Sequence, residues 1–371
     1  MRYENMSSFI VMDIVREAQK YNDSIHFEIG QPDLCPSPKV KEKLQEAICH
    51  NKFSYTESKG LEQLREKIAL SYKENYNVDI SKDQIIMTPG TSGAFLIAYT
   101  LTLKHKESLG LSDPSYPCYK NFANMLDINP CFMDIDKSTN YELTPKHLEG
   151  NDIQALQISS PCNPTGNVYD KKNLEELIKY CDDNDIAFIS DELYHGLSYE
   201  KEANTALEFS DNVFVINGFS KYYCMPGIRL GWIIVPKSLS REAEIIAQNV
   251  FISAPTLSQY GALEAFDDEY LEEVKSKFKE RRDYLYAELN EIFDVDAKPE
   301  GAFYIWANVS KYTDDSFVFA KELLENIHIA TTPGVDFGSN KTNHYLRFAY
   351  TRDIEHMSEG ITRLKEYLKT R

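Results

Sequence analysis

The sequence predicts an α/β fold: a mostly parallel sheet covered by helices on both faces, with a smaller α/β unit formed by the two ends of the chain. Between residues 84 and 236, short apolar runs alternate with stretches of helical periodicity, the pattern of successive βαβ units. The 371 residues exceed the usual size of one hydrophobic core, which predicts a second unit. We expect an N-terminal arm with part of the small domain at 1–40, a large domain at 41–280 and a small domain at 281–371.

The first elements follow from apolar spacing. Apolar residues at positions 10, 11, 14, 15 and 18 repeat with the period of a helix, and the same periodicity covers 38–50 and 61–76. Between the first two helices, an apolar strand-like stub in HFEIGQPD ends at Gly30, where the following Pro32 indicates a sharp turn. We expect the N-terminal helix to pack with the C-terminal unit.

The central region supplies the sheet. Its strand candidates are QIIMT, SLGLS, PCFMDI, IQALQIS, IAFIS, VFVIN and LGWIIV. Its helical stretches are SGAFLIAYTLTLKH, PCYKNFANMLD and KKNLEELIKYCDDND, the last with Asp170 as its N-cap. A helical region follows to about residue 291, interrupted near 253–255. The strand candidates YIWANV, HIATTPGVDFG and YLRFAYT then precede a final helix from Ile354.

Composition excludes several classes of partner. A net charge of −18 makes nucleic acid and anionic membrane surfaces poor partners, because both require clustered positive charge. The sequence contains neither a run of eighteen apolar residues nor a basic leader followed by an apolar segment, so we expect a cytoplasmic protein. Seven scattered cysteines argue against a disulfide framework and against a metal site.

One stretch, NGFSKYYCMPGIRLG at residues 217–231, carries the strongest chemical signal. Lys221 directly follows Ser220, and Arg229 lies eight residues further on. An amine, a hydroxyl and a guanidinium could therefore surround one small anion, as binding of pyridoxal phosphate requires. A lysine desolvated among other cations has a lowered pKa, which favours the neutral amine that attacks an aldehyde.

A second group could complete the site for the phosphate. The strand QIIMT ends in a turn containing Thr91, Ser92 and Gly93, and a helix begins there, so free backbone N–H groups point at one place. Such turns are also common without a ligand. With Ser220 and Arg229, this turn would form a three-part anion site.

Other strand ends carry groups suited to a heteroaromatic ring. Asp191 ends the strand IAFIS and could pair with a protonated pyridine nitrogen, which keeps the ring an electron sink. Tyr194, three residues later, could hydrogen-bond a ring hydroxyl, as could Asn163 of SPCNPTG, although Asn163 also fits a plain turn. Tyr116 of DPSYPCY follows another strand and could stack on the ring.

Ten motifs in order resemble one protein family. The motifs are IGQPD, SYTESKGLEQLRE, TPGTSGA, DPSYPCY, SPCNPTG, SDELY, FSKYYCMPGIRLG, GAFY, PGVDFG and YLRFAY. From about residue 9 to the end, the chain resembles the class I and II aminotransferases of the fold type I pyridoxal phosphate enzymes. The motifs are specific for the family and its cofactor and much less so for the substrate.

The resemblance implies roles at the cofactor. Lys221 matches the Schiff-base lysine, and Asp191 matches the partner of the pyridine nitrogen. Tyr194 and Asn163 match the ligands of the ring hydroxyl, and Tyr116 matches the stacking aromatic residue. The three-part anion site matches the residues that hold the phosphate.

The resemblance also implies a substrate site shared between two subunits. Arg347 matches the arginine that binds the substrate α-carboxylate through two parallel hydrogen bonds, assisted by the backbone at Gly30 and by Asn163. Tyr55 matches a tyrosine that reaches the phosphate of the neighbouring subunit, so we expect a homodimer.

Three positions depart from the family pattern. Gly218 stands where a phosphate-binding serine is often found, and Pro226 stands where threonine is common. Asn249 stands where aspartate-specific members of one subgroup carry an arginine for the side-chain carboxylate. Simple dicarboxylate specificity is therefore not expected.

The function implied is transfer of an amino group between an L-amino acid and a 2-oxo acid, with 2-oxoglutarate or pyruvate as acceptor. One alternative is a C–S β-lyase of the same fold, which would release pyruvate and ammonia without an acceptor. A third possibility is a pyridoxal phosphate-binding regulatory module without turnover. Arg347 and Gly30 argue against it, because a mere binder needs no substrate site.

Overall fold

The computed structural model describes Glu4 and residues 6–371 of the chain, so residues 1–3 and 5 of the predicted N-terminal arm lie outside the described part. The helices α1 to α12 are Ile10–Ala18, Pro38–Cys49, Glu62–Tyr76, Gly90–Thr102, Cys118–Met125, Pro145–Leu148, Lys171–Asp183, Ser240–Val250, Thr256–Ala262, Asp268–Asn290, Ser316–Ile327 and Ile354–Thr370. The strands β1 to β12 are Ile25–His26, Ile85–Thr88, Ser108–Asp113, Asn129–Asp134, Ala155–Ser159, Ala187–Asp191, Val213–Gly218, Gly231–Ile234, Tyr304–Asn308, Ile329–Ala330, Thr332–Pro333 and Tyr345–Ala349.

Seven strands form the central sheet in the order β2-β8-β7-β6-β5-β3-β4. The pairs from β7 to β4 are parallel, whereas β8 runs antiparallel to both of its neighbours. The predicted mostly parallel sheet is thus confirmed, and each of the seven apolar runs forms a strand. Every residue of β2, β5, β7 and β8 is buried, as expected for strands covered on both faces.

The chain ends meet around two smaller sheets. Strands β11, β12 and β9 form an antiparallel sheet, and β1 pairs in parallel with β10, with Ile25 opposite Ile329. Helix α1 packs against β10 and β11, which confirms that the N-terminal segment packs with C-terminal elements. The side chain of Asp170 accepts hydrogen bonds from the N–H groups of Lys172 and Asn173, which confirms it as the N-cap of α7.

Two predicted strands are shorter than expected. The stub expected to end at Gly30 forms a strand over Ile25–His26, and Phe27 continues the backbone pairing through hydrogen bonds with residues 330 and 349. The next carbonyl, that of Glu28, accepts hydrogen bonds from the side chains of Arg347 and Thr332 instead of from a strand. The run HIATTPGVDFG forms two strands of two residues each and then a turn at Gly334–Asp336.

The topology brings the ends of three strands together. Asp191 is the last residue of β6, Gly218 is the last residue of β7, and α4 begins at Gly90 shortly after β2 ends. In open α/β sheets, ligands bind beyond the carboxyl ends of the strands. Among residues 4 and 6–371, no helix has the length and apolar character needed to cross a membrane.

Candidate active site

Lys221 lies in a half-buried position just beyond β7. Its Nζ donates a hydrogen bond to the carbonyl oxygen of Gly30 at 2.6 Å and lies 5.8 Å from the ring centroid of Tyr194. Burial, with further contributions from the positive charges of Arg347 and Arg229, lowers the pKa of Lys221 to about 8. In about a tenth of the molecules, the Lys221 amine is therefore neutral at pH 7.

Asp191 is buried at the end of β6, with only 4% of its surface exposed. Its Oδ2 accepts a short hydrogen bond from the hydroxyl of Tyr119, and its Oδ1 accepts one from the N–H of Leu193 at 3.1 Å. Burial raises the pKa of Asp191 to about 6, while the Tyr119 hydrogen bond and the charge of Lys221 oppose that shift. Tyr119 packs edge-to-face against Tyr116 at 5.3 Å, which places Tyr116 beside the carboxylate.

The hydroxyl of Tyr194 lies 2.8 Å from the hydroxyl of Tyr304, and both side chains are buried. Tyr304 is the first residue of β9, so this contact joins the segment that follows β6 to the three-stranded sheet. Burial raises the pKa of Tyr194 well above its ordinary value, which keeps the phenol protonated.

Arg347 lies on β12 with 3% of its surface exposed. Its Nη1 donates to Asn163 Oδ1 at 2.8 Å, and its Nη2 donates to the Glu28 carbonyl at 2.5 Å and to Thr332 Oγ1 at 3.2 Å. The guanidinium carbon lies 4.3 Å from the ring centroid of Tyr304, a cation–π distance. Among the described residues, its Nε has no hydrogen-bond partner. The guanidinium is thus held in place with donors left over.

Two of the three parts of the predicted anion site lie side by side. An added β-carbon at Gly90, at the start of α4, would lie 2.6 Å from Arg229 Nη2, so the guanidinium lies directly against the turn that contains residues 91–93. The backbone of Arg229 is left-handed, with φ of 54°, and its Nη1 donates to the Pro226 carbonyl at 3.0 Å. Ser220 is buried directly before Lys221.

The departure at Gly218 has a steric cause. A β-carbon there would lie 3.2 Å from both the Cα of Gly231 and the Cγ2 of Thr91. Such contacts leave little room for a serine side chain between β7, β8 and the turn, so the hydroxyl that many family members place here does not fit without a backbone shift.

Two residues singled out from the sequence lie outside this cluster in the single chain. Tyr55 is 75% exposed, in a segment that contacts the start of α9 through a hydrogen bond from Thr256 Oγ1 to the Ser54 carbonyl at 2.8 Å. Asn249 is exposed on α8, and its side-chain amide donates to the Ile245 carbonyl at 2.8 Å.

Comparisons with known proteins identify the family of this chain. Residues 22–364 match the family model described as aminotransferase class I and II. The chain belongs to the class I and II aminotransferases. It is 39% identical to a (5-formylfuran-3-yl)methyl phosphate transaminase of Methanocaldococcus jannaschii, over 99% of this chain and 98% of that protein.

A second relative and a solved structure extend the comparison. The aminotransferase is 32% identical to a valine–pyruvate aminotransferase of Mycobacterium tuberculosis, over 97% of this chain and 96% of that protein. A crystal structure of an aminotransferase from Mycobacterium tuberculosis superimposes with a TM-score of 0.96 at 31% identity, covering 100% of this chain and 99% of the other. The protein is therefore a transaminase, and the family implies pyridoxal phosphate as its cofactor.

The residues of the aminotransferase fit that cofactor. The site offers an amine of lowered pKa, a buried carboxylate and a phenol, and its anion site combines a guanidinium with the N-terminus of a thirteen-residue helix. These groups match an aldehyde, a pyridine nitrogen, a ring hydroxyl and a phosphate, respectively.

Sequence reasoning missed two tyrosines of the site. Tyr119 lies three residues after Tyr116, close enough along the chain to share one side of the site, and this spacing was the available signal. Tyr304 belongs to the motif GAFY, but its partner Tyr194 is 110 residues away in sequence, so no local pattern could reveal the contact.

Proposed function

We propose that this aminotransferase is a cytoplasmic homodimer that transfers the amino group of a neutral L-amino acid to 2-oxoglutarate or pyruvate. The observation that carries the proposal is the position of Lys221. Its amine, with a pKa of about 8, is held by the Gly30 carbonyl and is influenced by the charges of the buried Asp191 carboxylate and of the buried Arg347 guanidinium, which retains free donors. When bound, pyridoxal phosphate supplies the electron sink for breaking a bond at the substrate Cα.

Five residues would hold the cofactor ring. Lys221 would attach the cofactor covalently, and Asp191 would pair with its ring nitrogen. Tyr194 and Asn163 would hydrogen-bond the ring hydroxyl, and Tyr116 would lie on the ring face.

The anion site of residues 91–93, Ser220 and Arg229 would hold the phosphate. The positive end of the α4 dipole and the Arg229 guanidinium both favour a bound dianion there. The Pro226 carbonyl orients Arg229 without removing its remaining donors.

The substrate would be oriented by Arg347 and its proton moved by Lys221. Asn163 and the Glu28 carbonyl fix the guanidinium, so it meets the α-carboxylate in a set direction. The Nζ of Lys221 is held by the Gly30 carbonyl next to this clamp. A neutral amine there can take the proton from the substrate Cα and return it, as general base and then general acid.

Exposed apolar side chains support the dimer. Phe53 and Tyr55 are 62% and 75% exposed, and Val250 and Ile252 are 54% and 52% exposed. The two segments are joined by the hydrogen bond between residues 256 and 54. They also adjoin the anion site, because a β-carbon at Gly93 would lie 3.5 Å from the ring of the intervening residue 251. A second copy covering this face would bring a Tyr55 towards each phosphate site.

The proposed preference for neutral donors rests on Asn249 and on the cations that reach the site. The cations that lower the pKa of Lys221 are Arg347 and Arg229, which are assigned to the α-carboxylate and the phosphate. Asn249 has no charge, and its amide is already bonded to its own helix. The name of one relative, a valine–pyruvate aminotransferase, describes a donor that lacks a side-chain carboxylate.

A single-turnover panel tests the proposal. The holoenzyme is mixed with alanine, valine, leucine, methionine, phenylalanine, aspartate or glutamate, and loss of the cofactor's visible absorbance is followed. We expect the neutral donors to match or exceed aspartate, because a second charged pair would supply about 1.5–3 kcal/mol that is missing here. Lys221→Ala should lower the rate by more than the roughly 10²–10⁴ of acid–base catalysis.

Two results would contradict the proposal. A preference for aspartate of a hundredfold or more over every neutral donor would show that another cation reads the side chain. Retention of more than about a tenth of the rate in Lys221→Ala would remove that residue from its role, since general acid–base catalysis alone is worth roughly 10²–10⁴.

A further inference from the structure

Tyr304 contacts both functional halves of the site, yet the roles proposed above do not use it. The side chain is 1% exposed. Its hydroxyl lies 2.8 Å from the Tyr194 hydroxyl, and its ring centroid lies 4.3 Å from the guanidinium carbon of Arg347. One tyrosine therefore touches the proposed ligand of the ring hydroxyl and the proposed carboxylate clamp.

The Tyr304 hydroxyl is confined by the backbone at Gly30. A β-carbon at Gly30 would lie 1.9 Å from the Tyr304 oxygen, so the hydroxyl packs directly against the glycine. The rings of Tyr304 and Tyr194 meet edge-to-face, with centroids 5.8 Å apart and planes at 77°. The hydroxyl is therefore packed between the glycine and the second phenol, while the guanidinium lies over the ring.

Once the ring oxygen of the cofactor is bound, the direction of the hydrogen bond between the two hydroxyls is fixed. A phenol has one proton to donate. If Tyr194 donates it to the ring oxygen, its own oxygen must accept from Tyr304. Among the described residues, Tyr194 is the hydrogen-bond partner of the Tyr304 hydroxyl. A donor that itself accepts a hydrogen bond is a stronger donor, because successive hydrogen bonds polarise one another.

We infer that Tyr304 is a positioning residue: its hydroxyl directs the Tyr194 proton onto the cofactor, and its ring supports Arg347. The inference rests on the role proposed above for Tyr194. Two variants separate the functions of the hydroxyl and of the ring. Tyr304→Phe removes the hydroxyl and keeps the ring under Arg347, whereas Tyr304→Leu removes both.

The visible absorbance of the bound cofactor tests the hydroxyl without any turnover. A hydrogen bond donated to the ring oxygen stabilises the negative charge on that oxygen. It therefore lowers the pKa of the nitrogen that joins the cofactor to Lys221, which is the pKa read from the visible absorbance. In holoenzyme without amino acid, we expect Tyr304→Phe to raise this pKa by about 0.3–1 unit, the range for one neutral hydrogen bond. Tyr194→Phe should raise it further.

Tyr350→Phe is the matched control. Tyr350 is fully buried in the same hydrophobic cluster, and its hydroxyl donates to the Ala302 carbonyl at 3.1 Å, two residues from Tyr304. Its loss removes a buried phenolic hydrogen bond without touching Tyr194, so the pKa read from the absorbance should not move.

Kinetics test the ring. Tyr304→Phe should leave the KM for the amino donor within about twofold while kcat falls, and Tyr304→Leu should raise KM about five- to thirtyfold, as loss of a desolvated cation–π contact predicts.

An unchanged absorbance pKa in Tyr304→Phe, together with a raised one in Tyr194→Phe, would overturn the inference and leave the proposed function intact. An unchanged pKa in Tyr194→Phe would overturn both the Tyr194 assignment and the inference. Because Tyr304→Phe is nearly isosteric, it keeps the test open even if the leucine variant fails to fold.

Discussion

Replacing Arg347 with methionine should raise the pKa of Lys221. The guanidinium is one of two cations that help to lower this pKa to about 8, and burial is the largest cause. Without Arg347 the pKa should therefore rise but stay below the ordinary lysine value of about 10.4, because burial persists. Arg347→Lys keeps the positive charge and is the matched control.

The expected effect is large enough to measure. At pH 7, an amine with a pKa of about 8 is about 10% neutral, whereas an ordinary lysine at about 10.4 is about 0.04% neutral. The environment of Lys221 thus increases the reactive form about two-hundredfold at that pH. In Arg347→Met, the neutral fraction of Lys221 at pH 7 should fall by part of this factor.

The assay is covalent uptake of pyridoxal phosphate by the apoenzyme, followed by absorbance as a function of pH. This reaction needs the neutral Lys221 amine and no amino acid, so the loss of the carboxylate clamp does not affect the reading. The rate should rise with pH to a midpoint near 8 in the wild type and in Arg347→Lys, and to a higher midpoint in Arg347→Met. A wild-type midpoint near 10, or equal midpoints in all three proteins, would refute the electrostatic reasoning.

Two other predictions address the cofactor ring and the dimer. Asp191→Asn should reduce the half-reaction rate by roughly ten- to hundredfold or more while the affinity for pyridoxal phosphate changes little, because a charge-assisted hydrogen bond contributes about 1.5–3 kcal/mol; an unchanged rate would exclude Asp191 from the mechanism. Sedimentation should show a dimer. Mixing subunits carrying Lys221→Ala with subunits carrying Tyr55→Ala should restore activity, whereas mixing Lys221→Ala with Arg347→Ala subunits should not, and the reverse pattern would contradict the shared site.

The sequence was sufficient for the sheet and for the residues at its edge. Short apolar runs separated by helices specify buried parallel strands, and the carboxyl ends of such strands meet at one edge. Asp191 and Lys221 could be placed near one another for this reason alone, because each follows a strand of that sheet. The turn at residues 91–93 and the N-cap Asp170 are likewise local signals.

Other features depend on which distant segments meet. The strand pairing expected to reach Gly30 ends after Phe27, and the Glu28 carbonyl bonds to Arg347, more than 300 residues away in sequence. Gly218 appeared to be a missing ligand, and the packing of Gly231 and Thr91 explains it.

The amino-acid sequence by itself therefore determined the fold class, the family and the chemical groups of the site, since each depends on local pattern or on short motifs. Only the tertiary structure decided how those groups are oriented. Tyr119 is set against Asp191 across 72 residues, and Tyr304 against Tyr194 across 110 residues. Hydrogen bonds of 2.5–3 Å between side chains on different elements depend on the packing of whole sheets and helices, and no periodicity within one element encodes them.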